Sequence, residues 1–290
     1  MSIAWEDLKT VLAVVRHKTL SKAGDDLGVN YTTVARRIQR LEAEMGRVLF
    51  ERLTDGYHAN EAGKFVADRA AAMERTEHAM MRALTGQDDT LHGPLVITAP
   101  QLLLAEVLGP MLDEFHKEYP SIDLQIRATN ELLDLDRREA DLAIRISDNP
   151  GDDLKGLRLT EQHTASFATE AVARDIQAAP SRIVDWIAFV AMSEPPKAVD
   201  PKYPNHRIKF HFDDMVAIQG AARAGLGVAR LPMFLGRNTP GLVQIDVLPP
   251  QPYLPIWVVG HKDVWPNAKV AAFRAILVRY IKQTKPLFID

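Results

Sequence analysis

The sequence predicts a multidomain protein in which an all-α N-terminal region ends in one long helix and is followed by a larger α/β region. Three features support this fold class. Two short helical patterns meet at Gly28, within residues 20–45. Residues 64–85 contain no proline or glycine. From Pro94 onward strand patterns alternate with helix patterns, and the length of 290 residues suggests about two domains.

Composition restricts the functional class. The chain has no run of eighteen apolar residues and no basic, apolar leader, so we expect neither a membrane span nor a secretion signal. Without cysteine it can form no disulfide and no thiolate metal site, which fits a cytoplasmic protein. The net charge of −3 argues against a protein that coats nucleic acid with its whole surface. Residues 1–91 carry 13 Lys and Arg against 14 Asp and Glu, so any nucleic-acid contact must be local.

The second helical pattern has one apolar face and one basic face. Its apolar residues recur at helical spacing and are Val34, Ile38, Leu41 and Met45. The residues that point the other way are Thr32, Thr33, Arg36, Arg37 and Arg40. Asn30 is a suitable N-cap, Gly46 is a suitable helix end, and no acidic side chain lies between Asn30 and Arg40. A solvated face with only positive charge suits a polyanion.

The first helical pattern begins near Ser21, a candidate N-cap, and Gly28 allows a sharp turn before the second pattern. Two short helices joined by a three-residue turn, the second with a basic outer face, form the helix-turn-helix pattern. In that motif the second helix enters the DNA major groove. On spacing alone, a solvated helical hairpin without such a role is the alternative.

A short hairpin is predicted after the second helix, because Asp55 and Gly56 form a turn signal. Such a wing would place Arg52, Tyr57 and His58 against the flanking DNA backbone or minor groove. A surface hairpin without DNA contacts is the alternative for each residue taken singly.

Residues 61–85 predict one long helix with an apolar stripe near a seven-residue repeat, interrupted by Glu77. The stripe consists of Phe65, Val66, Ala70, Met73, Met80 and Leu84. This spacing favours pairing with another helix, and packing on its own domain is the alternative. Residues 86–93 then predict a short polar hinge.

Residues 94–290 predict an α/β domain with a largely parallel sheet. We expect strands at 95–99, 122–128, 141–146, 164–168, 188–192, 228–231 and 256–260. We expect helices at 102–119, 131–139, 213–224 and 268–283.

Ligands in open α/β sheets bind beyond the carboxyl ends of strands, where helix N-termini offer free amides. The first such place contains Thr98 and Gln101, which can donate hydrogen bonds, and the amides of residues 101–103, which can bind a carboxylate. Apolar Leu102 and its neighbours favour a small organic acid or a mixed apolar ligand. The second place is Thr129, directly after the next strand. Both threonines have an alternative role as helix caps or strand-end hydrogen-bond donors.

Two charged residues of this region have structural interpretations. Arg145 can meet an anion or pair with Asp141 or Glu139. Asp213 is interpreted as a helix N-cap rather than a ligand contact.

Residues for catalysis are not found. The sequence has no G-x-S-x-G, no G-x-x-x-x-G-K-S/T and no G-x-G-x-x-G after a strand, and its nine histidines are scattered. We therefore expect no enzyme activity, no metal site and no cofactor.

The motifs resemble the LysR-type transcriptional regulators over the whole chain. At the N-terminus these are T-L-S-K-A-G-x-x-L-G-V-N (19–30), T-T-V-A-R-R-I-x-x-L-E (32–42), M-G-x-x-L-F-E-R (45–52) and N-E-A-G (60–63). Further on they are L-x-E-F-H-K-E-Y-P (112–120), D-L-A-I-R (141–145) and A-G-L-G-V-A-R-L-P (224–232). Gly24 departs from the family's usual alanine and should weaken its helix by about 1 kcal/mol or less. Asn60 departs from the usual threonine, but both residues cap helices.

The resemblance implies a domain order. Residues 1–60 would form a winged helix-turn-helix domain, 61–86 a linker and dimerisation helix, 87–93 a hinge and 94–290 an effector-binding domain. The last would have the two-lobed fold of periplasmic binding proteins, with lobe I at about 94–160 and 261–290 and lobe II at about 161–260. A third part of the ligand site would come from lobe II, at Ser193, Phe212 and Met215.

Two functional classes follow. The favoured one is a transcription regulator, a homodimer or homotetramer whose binding to a dyad-symmetric site in double-stranded DNA is modulated by a small-molecule effector. Its expected DNA contacts are Ser21, Asn30, Thr32, Thr33, Arg36, Arg37, Arg40 and Arg52. The alternative is a small-molecule-binding protein or enzyme with an incidental N-terminal helical domain.

Overall fold

The structure is a computed structural model that describes residues 3–86, 89–130, 135, 139–149, 151 and 154–289. The expected helix at 131–139 lies almost entirely outside these residues. The chain divides into two units, Met1–Ala83 and Leu84–Asp290, each with its own buried core.

Three helices form the first part of the N-terminal unit: α1, Trp5–His17, α2, Leu20–Leu27, and α3, Tyr31–Met45. The N-cap expected at Ser21 is wrong. Thr19 has the extended backbone that a cap needs, and its side chain accepts a hydrogen bond from the amide of Lys22 at 3.3 Å. Ser21 lies instead in the first turn of α2 and is exposed.

The caps of α3 confirm the sequence reading. Asn30 is extended, and its Oδ1 accepts the amide of Thr32 at 3.0 Å. Gly46 ends the helix with φ 61°. Apolar Val34, Ile38 and Leu41 are buried, as their spacing predicts.

The turn before α3 explains the glycine at position 24. A Cβ atom there would lie 2.6 Å from the carbonyl oxygen of Val29. Glycine lowers the helix propensity of α2, as expected. Because it has no side chain, it also allows α2 to approach the following turn closely.

The predicted hairpin is present as β1, Phe50–Leu53, and β2, Gly56–Ala59, paired antiparallel. Gly56 has φ 133°, and a Cβ atom on it would lie 2.4 Å from the carbonyl oxygen of Lys18. That oxygen also accepts the amide of Tyr57 at 2.8 Å. The wing is thus attached to the turn between α1 and α2.

The long helix α4, Glu61–Gly86, begins after Asn60, whose Oδ1 accepts the amide of Gly63 at 3.0 Å. The predicted apolar stripe is split. Val66 and Ala70 are buried in the core of their own unit. The remaining members are exposed, namely Phe65 (60%), Met73 (46%), Met80 (57%) and Leu84 (61%). One part of the stripe therefore packs on the N-terminal unit itself, and the other part forms an exposed apolar face.

Among its described residues, the second unit contains a sheet of nine strands. They are β3, Gly93–Ala99, β4, Ile122–Ala128, β5, Leu142–Ile146, β6, Leu154–Thr169, β7, Val184–Phe189, β8, His206–Phe212, β9, Val228–Pro232, β10, Leu242–Ile245, and β11, Gln251–His261. The order is β4-β3-β5-β11-β6-β9-β7-β8, with β10 paired to β6.

The expectation of a largely parallel sheet is wrong for its centre. At the two sides β3 is parallel to β4 and β5, and β7 is parallel to β8 and β9. The long strands β6 and β11 are antiparallel to each other and to their other neighbours. The first half of β6 is mostly exposed, so it lacks the alternation that marks a half-buried strand.

Helices pack on this sheet. Helix α5, Gln101–Leu103, continues through a π-helical segment, Leu104–Leu108, into α6, Gly109–Glu118. The others are α7, Glu170–Ala178, α8, Met215–Arg223, α9, Met233–Asn238, and α10, Ala268–Gln283, with a 3-10 turn at Lys285–Leu287. The cap expected at Asp213 is one residue further on, because Oδ1 of Asp214 accepts the amides of Val216 and Ala217.

Candidate functional site

The outer face of α3 presents polar groups to solvent. Thr32 and Arg36 are exposed and Thr33 is half-buried. Within the part of the chain that the structure describes, Arg36 has no hydrogen-bond or ion-pair partner. Its guanidinium is therefore a cation whose donors are not occupied by the protein itself.

The other two arginines of this face are engaged with helix α1. Arg40 forms two hydrogen bonds to the carboxylate of Asp7, one of them from Nε at 2.9 Å. Asp7 is 1% exposed. Arg37 lies 3.6 Å from Oε2 of Glu6. Sequence reasoning missed these pairs, because the acidic partners are thirty or so residues away on another helix.

Two other expected contacts have local partners. The hydroxyl of Thr32 donates to Oδ1 of Asn30 at 3.1 Å, and that oxygen already caps α3. The cap uses only the side-chain oxygen of Asn30, and its side-chain nitrogen, Nδ2, takes no part in it. Ser21 is exposed in the first turn of α2.

The wing lies beside a depression of about 560 Å³ that its residues share with the α1–α2 turn and Tyr31. Arg52 lines it, with its guanidinium 5.9 Å from the ring of Tyr57. His58 is instead 2.8 Å from Asp55, and this hydrogen bond lowers the pKa of the Asp55 carboxyl. Arg52 is thus placed beside an open surface, whereas His58 has a partner within the wing.

Arg40→Ala is expected to lower the thermal unfolding midpoint by several degrees, because it leaves the Asp7 carboxylate buried without its partner. Arg36→Ala is the matched control and should leave the midpoint unchanged, since it removes an exposed side chain that has no partner in the described part of the chain. Scanning calorimetry measures both. Equal midpoints for the two variants would show that the pair with Asp7 does not stabilise the fold.

The first cavity in the C-terminal unit lies where strand ends converge, and its volume is about 280 Å³. Its walls include the ends of β3, β5 and β9 and the start of α8. Four expected effector contacts line it, namely Thr98, Leu102, Thr129 and Met215. Arg145 and Tyr253 line it as well. Thr98 and Thr129, which were predicted from the carboxyl ends of strands, thus line a cavity, and their contact with a ligand stays a prediction.

Thr98 and Gln101 differ in their placement. The Thr98 side chain is 4% exposed, and its hydroxyl donates to the carbonyl oxygen of Arg127 at 3.2 Å. It is therefore both a wall residue and a hydrogen-bond donor between strands. Gln101 is exposed, directs its amide toward the carbonyl oxygen of Ala128 at 3.5 Å, and is not a wall residue of this cavity.

A second cavity of about 160 Å³ adjoins the first and shares Met215, Pro232 and Tyr253 with it. We call the two cavities together the cleft. Its further wall residues include Trp186, Phe189, Thr164 and Arg230. Ser193 and Phe212 line neither cavity, and Phe212 packs half-buried on the main core. Sequence reasoning missed Trp186 and Arg230, although Arg230 stands in the quoted motif of residues 224–232.

Among the described residues, no group of three or more histidine, aspartate and glutamate side chains is arranged to bind a metal ion. No helix in the same part of the chain has the length and apolar character to span a membrane.

A helix-turn-helix unit joined to a unit with a ligand-sized cleft defines a class of DNA-binding regulators. Residues 5–64 match the family described as bacterial regulatory helix-turn-helix protein, lysR family. Residues 88–282 match the family described as LysR substrate binding domain. The chain belongs to the LysR family and is a transcriptional regulator with an effector-binding domain.

Individual relatives agree with this assignment. An HTH-type transcriptional regulator of Xanthomonas campestris pv. campestris is 34% identical over 167 residues, which cover 56% of this chain and 47% of that one. The match thus spans about half of that relative. The glycine cleavage system transcriptional activator homolog of Haemophilus influenzae is 28% identical over 290 residues, covering 95% and 94% of the two chains.

The fold is also that of solved regulators. The full-length structure of the Vibrio cholerae virulence activator AphB is similar with a TM-score of 0.57 and 21% identity, covering 96% of this chain and 99% of that one. At this identity the similarity shows the fold alone.

Proposed function

We propose that this chain is a cytoplasmic regulator that binds a dyad-symmetric site in double-stranded DNA as a homodimer or homotetramer. A small organic acid in the cleft modulates its binding or activity, and the chain acts by binding rather than by catalysis. In this proposal residues 1–60 bind DNA, 61–86 dimerise, 87–93 form a hinge, and 94–290 bind the effector.

The exposed face of α3 is the observation that carries the DNA-binding part. It presents a cation, Arg36, that has no partner among the described residues, beside exposed Thr32 on a helix with a capped N-terminus. We assign base-edge or phosphate contacts to Thr32, Thr33, Arg36 and Arg37. Phosphate or flanking contacts are assigned to Ser21, Asn30, Arg40 and Arg52, and Arg40 has its structural role as well.

Charge explains why two copies are needed. The N-terminal residues 1–91 are close to neutral, so a single copy cannot bind DNA by bulk attraction and makes a modest number of phosphate contacts. The exposed apolar residues of α4, among them Met73 and Met80, favour a helix pair between copies. Such a pair would place two α3 helices on two half-sites.

The cleft supports an organic acid as effector. Its described wall residues include two arginines, Arg145 and Arg230, and no aspartate or glutamate. Most of its surface is apolar, as in typical small-molecule sites. Thr98, Leu102, Thr129 and Met215 are the proposed contacts in the first cavity. Gln101, Ser193 and Phe212 are also proposed contacts, although they do not line the cleft.

A footprint of the full chain on the DNA that flanks its own coding region tests the proposal. We expect salt-sensitive protection of specific sequence that changes in extent or affinity when candidate organic acids are added. The rival class, an enzyme or binding protein with an incidental helical domain, predicts no specific footprint and ligand binding unaffected by deletion of residues 1–86.

A further inference from the structure

The second cavity has one charged wall residue among those described, Arg230, in otherwise mostly apolar surroundings. Its aromatic and aliphatic walls include Trp186, Phe189 and Ile218. A half-buried guanidinium in such surroundings loses hydration and is stabilised by an anionic partner. No carboxylate lies within ion-pairing distance of Arg230 in the described part of the chain.

The hydrogen bonds of Arg230 leave most of its donors available. Its Nε donates to Oγ1 of Thr164 at 2.8 Å, and Thr164 is 4% exposed. Thr164 lies on β6, diagonally across the strand pair from Arg230 on β9. The bond fixes the orientation of the guanidinium, whose two Nη groups form the flat pair of donors that matches a carboxylate.

The wall composition indicates what the carboxylate is attached to. Beyond Arg230 and Thr164, the wall of the second cavity consists of aromatic, aliphatic, proline and methionine side chains. A ligand with several hydroxyl or phosphate groups along its body would find few hydrogen-bond partners there besides the hydroxyl of Tyr253. An aromatic or branched apolar body avoids this cost.

We propose that Arg230, oriented by Thr164, binds the carboxylate of the effector, and that the second cavity takes an aromatic or branched apolar body attached to it. This inference rests on the proposed function and names the residue and ligand class that determine specificity. The first cavity, with Thr98 and Thr129 in its wall, is left for any further polar group of the ligand.

Calorimetric titration of the full chain tests the inference with defined probes. The probes are isovalerate, benzoate, phenylacetate and 3-phenylpropionate, each paired with its neutral primary amide, together with inorganic phosphate. We expect at least one carboxylate to bind, and its amide to bind at least about tenfold more weakly.

Variants assign the binding to the arginine. Arg230→Gln should lower the affinity for the bound carboxylate at least about tenfold and should abolish the preference over the amide. Arg230→Lys should retain part of the affinity, because it keeps the charge but not the paired donors. Arg223→Gln on the exposed face of α8 is the matched control and should bind as wild type does.

Several results would overturn the inference: no carboxylate binding, equal binding of acid and amide, binding of phosphate alone, or unchanged affinity in Arg230→Gln. If Arg230→Gln does not fold, the acid-to-amide ratio in wild type and Arg230→Lys decides. If the wild-type chain bound no specific DNA site, the proposed function would be rejected. The calorimetric titration would still show whether Arg230 binds a carboxylate.

Discussion

Arg36→Ala is expected to lower the affinity for the specific DNA site about thirtyfold or more. An arginine that contacts a base edge contributes roughly 1–3 kcal/mol, and a dimer loses this contact in both half-sites. The structure makes Arg36 the strongest candidate of the three arginines of α3. Arg37 and Arg40 are close to carboxylates of α1, whereas Arg36 has no partner among the described residues.

The matched control is Arg75→Ala, which removes an exposed arginine from α4. Fluorescence anisotropy with specific and scrambled duplexes should show a large loss for Arg36→Ala on the specific duplex and wild-type binding for the control. If Arg36→Ala bound the specific duplex as tightly as wild type, the assignment of α3 as the reading helix would be wrong.

Met73→Glu combined with Met80→Glu is expected to dissociate the proposed oligomer and to reduce DNA affinity by orders of magnitude. Two charges would enter an apolar helix pair, where an unpaired carboxylate is costly. Each separated copy would then bind only one half-site. Sedimentation velocity measures the mass and anisotropy measures the DNA affinity of the same sample.

The control for this pair is Arg75→Glu, which puts a new negative charge on the opposite side of the same helix. It should sediment as wild type does. An unchanged mass for the double methionine variant would remove α4 as the dimerisation element, and DNA binding of undiminished affinity by a monomer would remove the need for two copies.

Local signals in the sequence predicted much of the fold. The spacing of Val34, Ile38 and Leu41 placed the buried face of α3 correctly, and Asn30 and Gly46 marked its ends. The bounds of β4 and α10 were also predicted to the residue. These features depend on periodicity and capping, which act within a few residues of the chain.

Features that depend on distant residues could not be predicted. The sequence predicts a single apolar stripe on α4, interrupted by Glu77. In the structure Glu77 accepts a hydrogen bond from Nε1 of Trp5 at 3.0 Å, and Arg16 pairs with Glu74 at 2.7 Å. These contacts attach one side of α4 to α1 and leave the other side exposed.

The cleft in the C-terminal unit also combines features that could and could not be predicted from the sequence. The positions of Thr98 and Thr129 in the cavity wall could be predicted, because the carboxyl end of a strand can be recognised from the local sequence. Arg230 and Trp186 were missed because their meeting depends on the pairing of β9 with β6 and β7, and Arg230 is only one of many arginines in the sequence.

A hydroxyl-radical footprint of the full chain on its specific DNA site tests most directly whether α3 is a reading helix presented twice. We expect two protected segments related by a dyad and centred about one or more helical turns apart. Arg36→Ala should weaken both segments equally, and Met73→Glu with Met80→Glu should remove the pairing between them. A single protected segment, or a footprint unchanged by Arg36→Ala, would contradict the proposal.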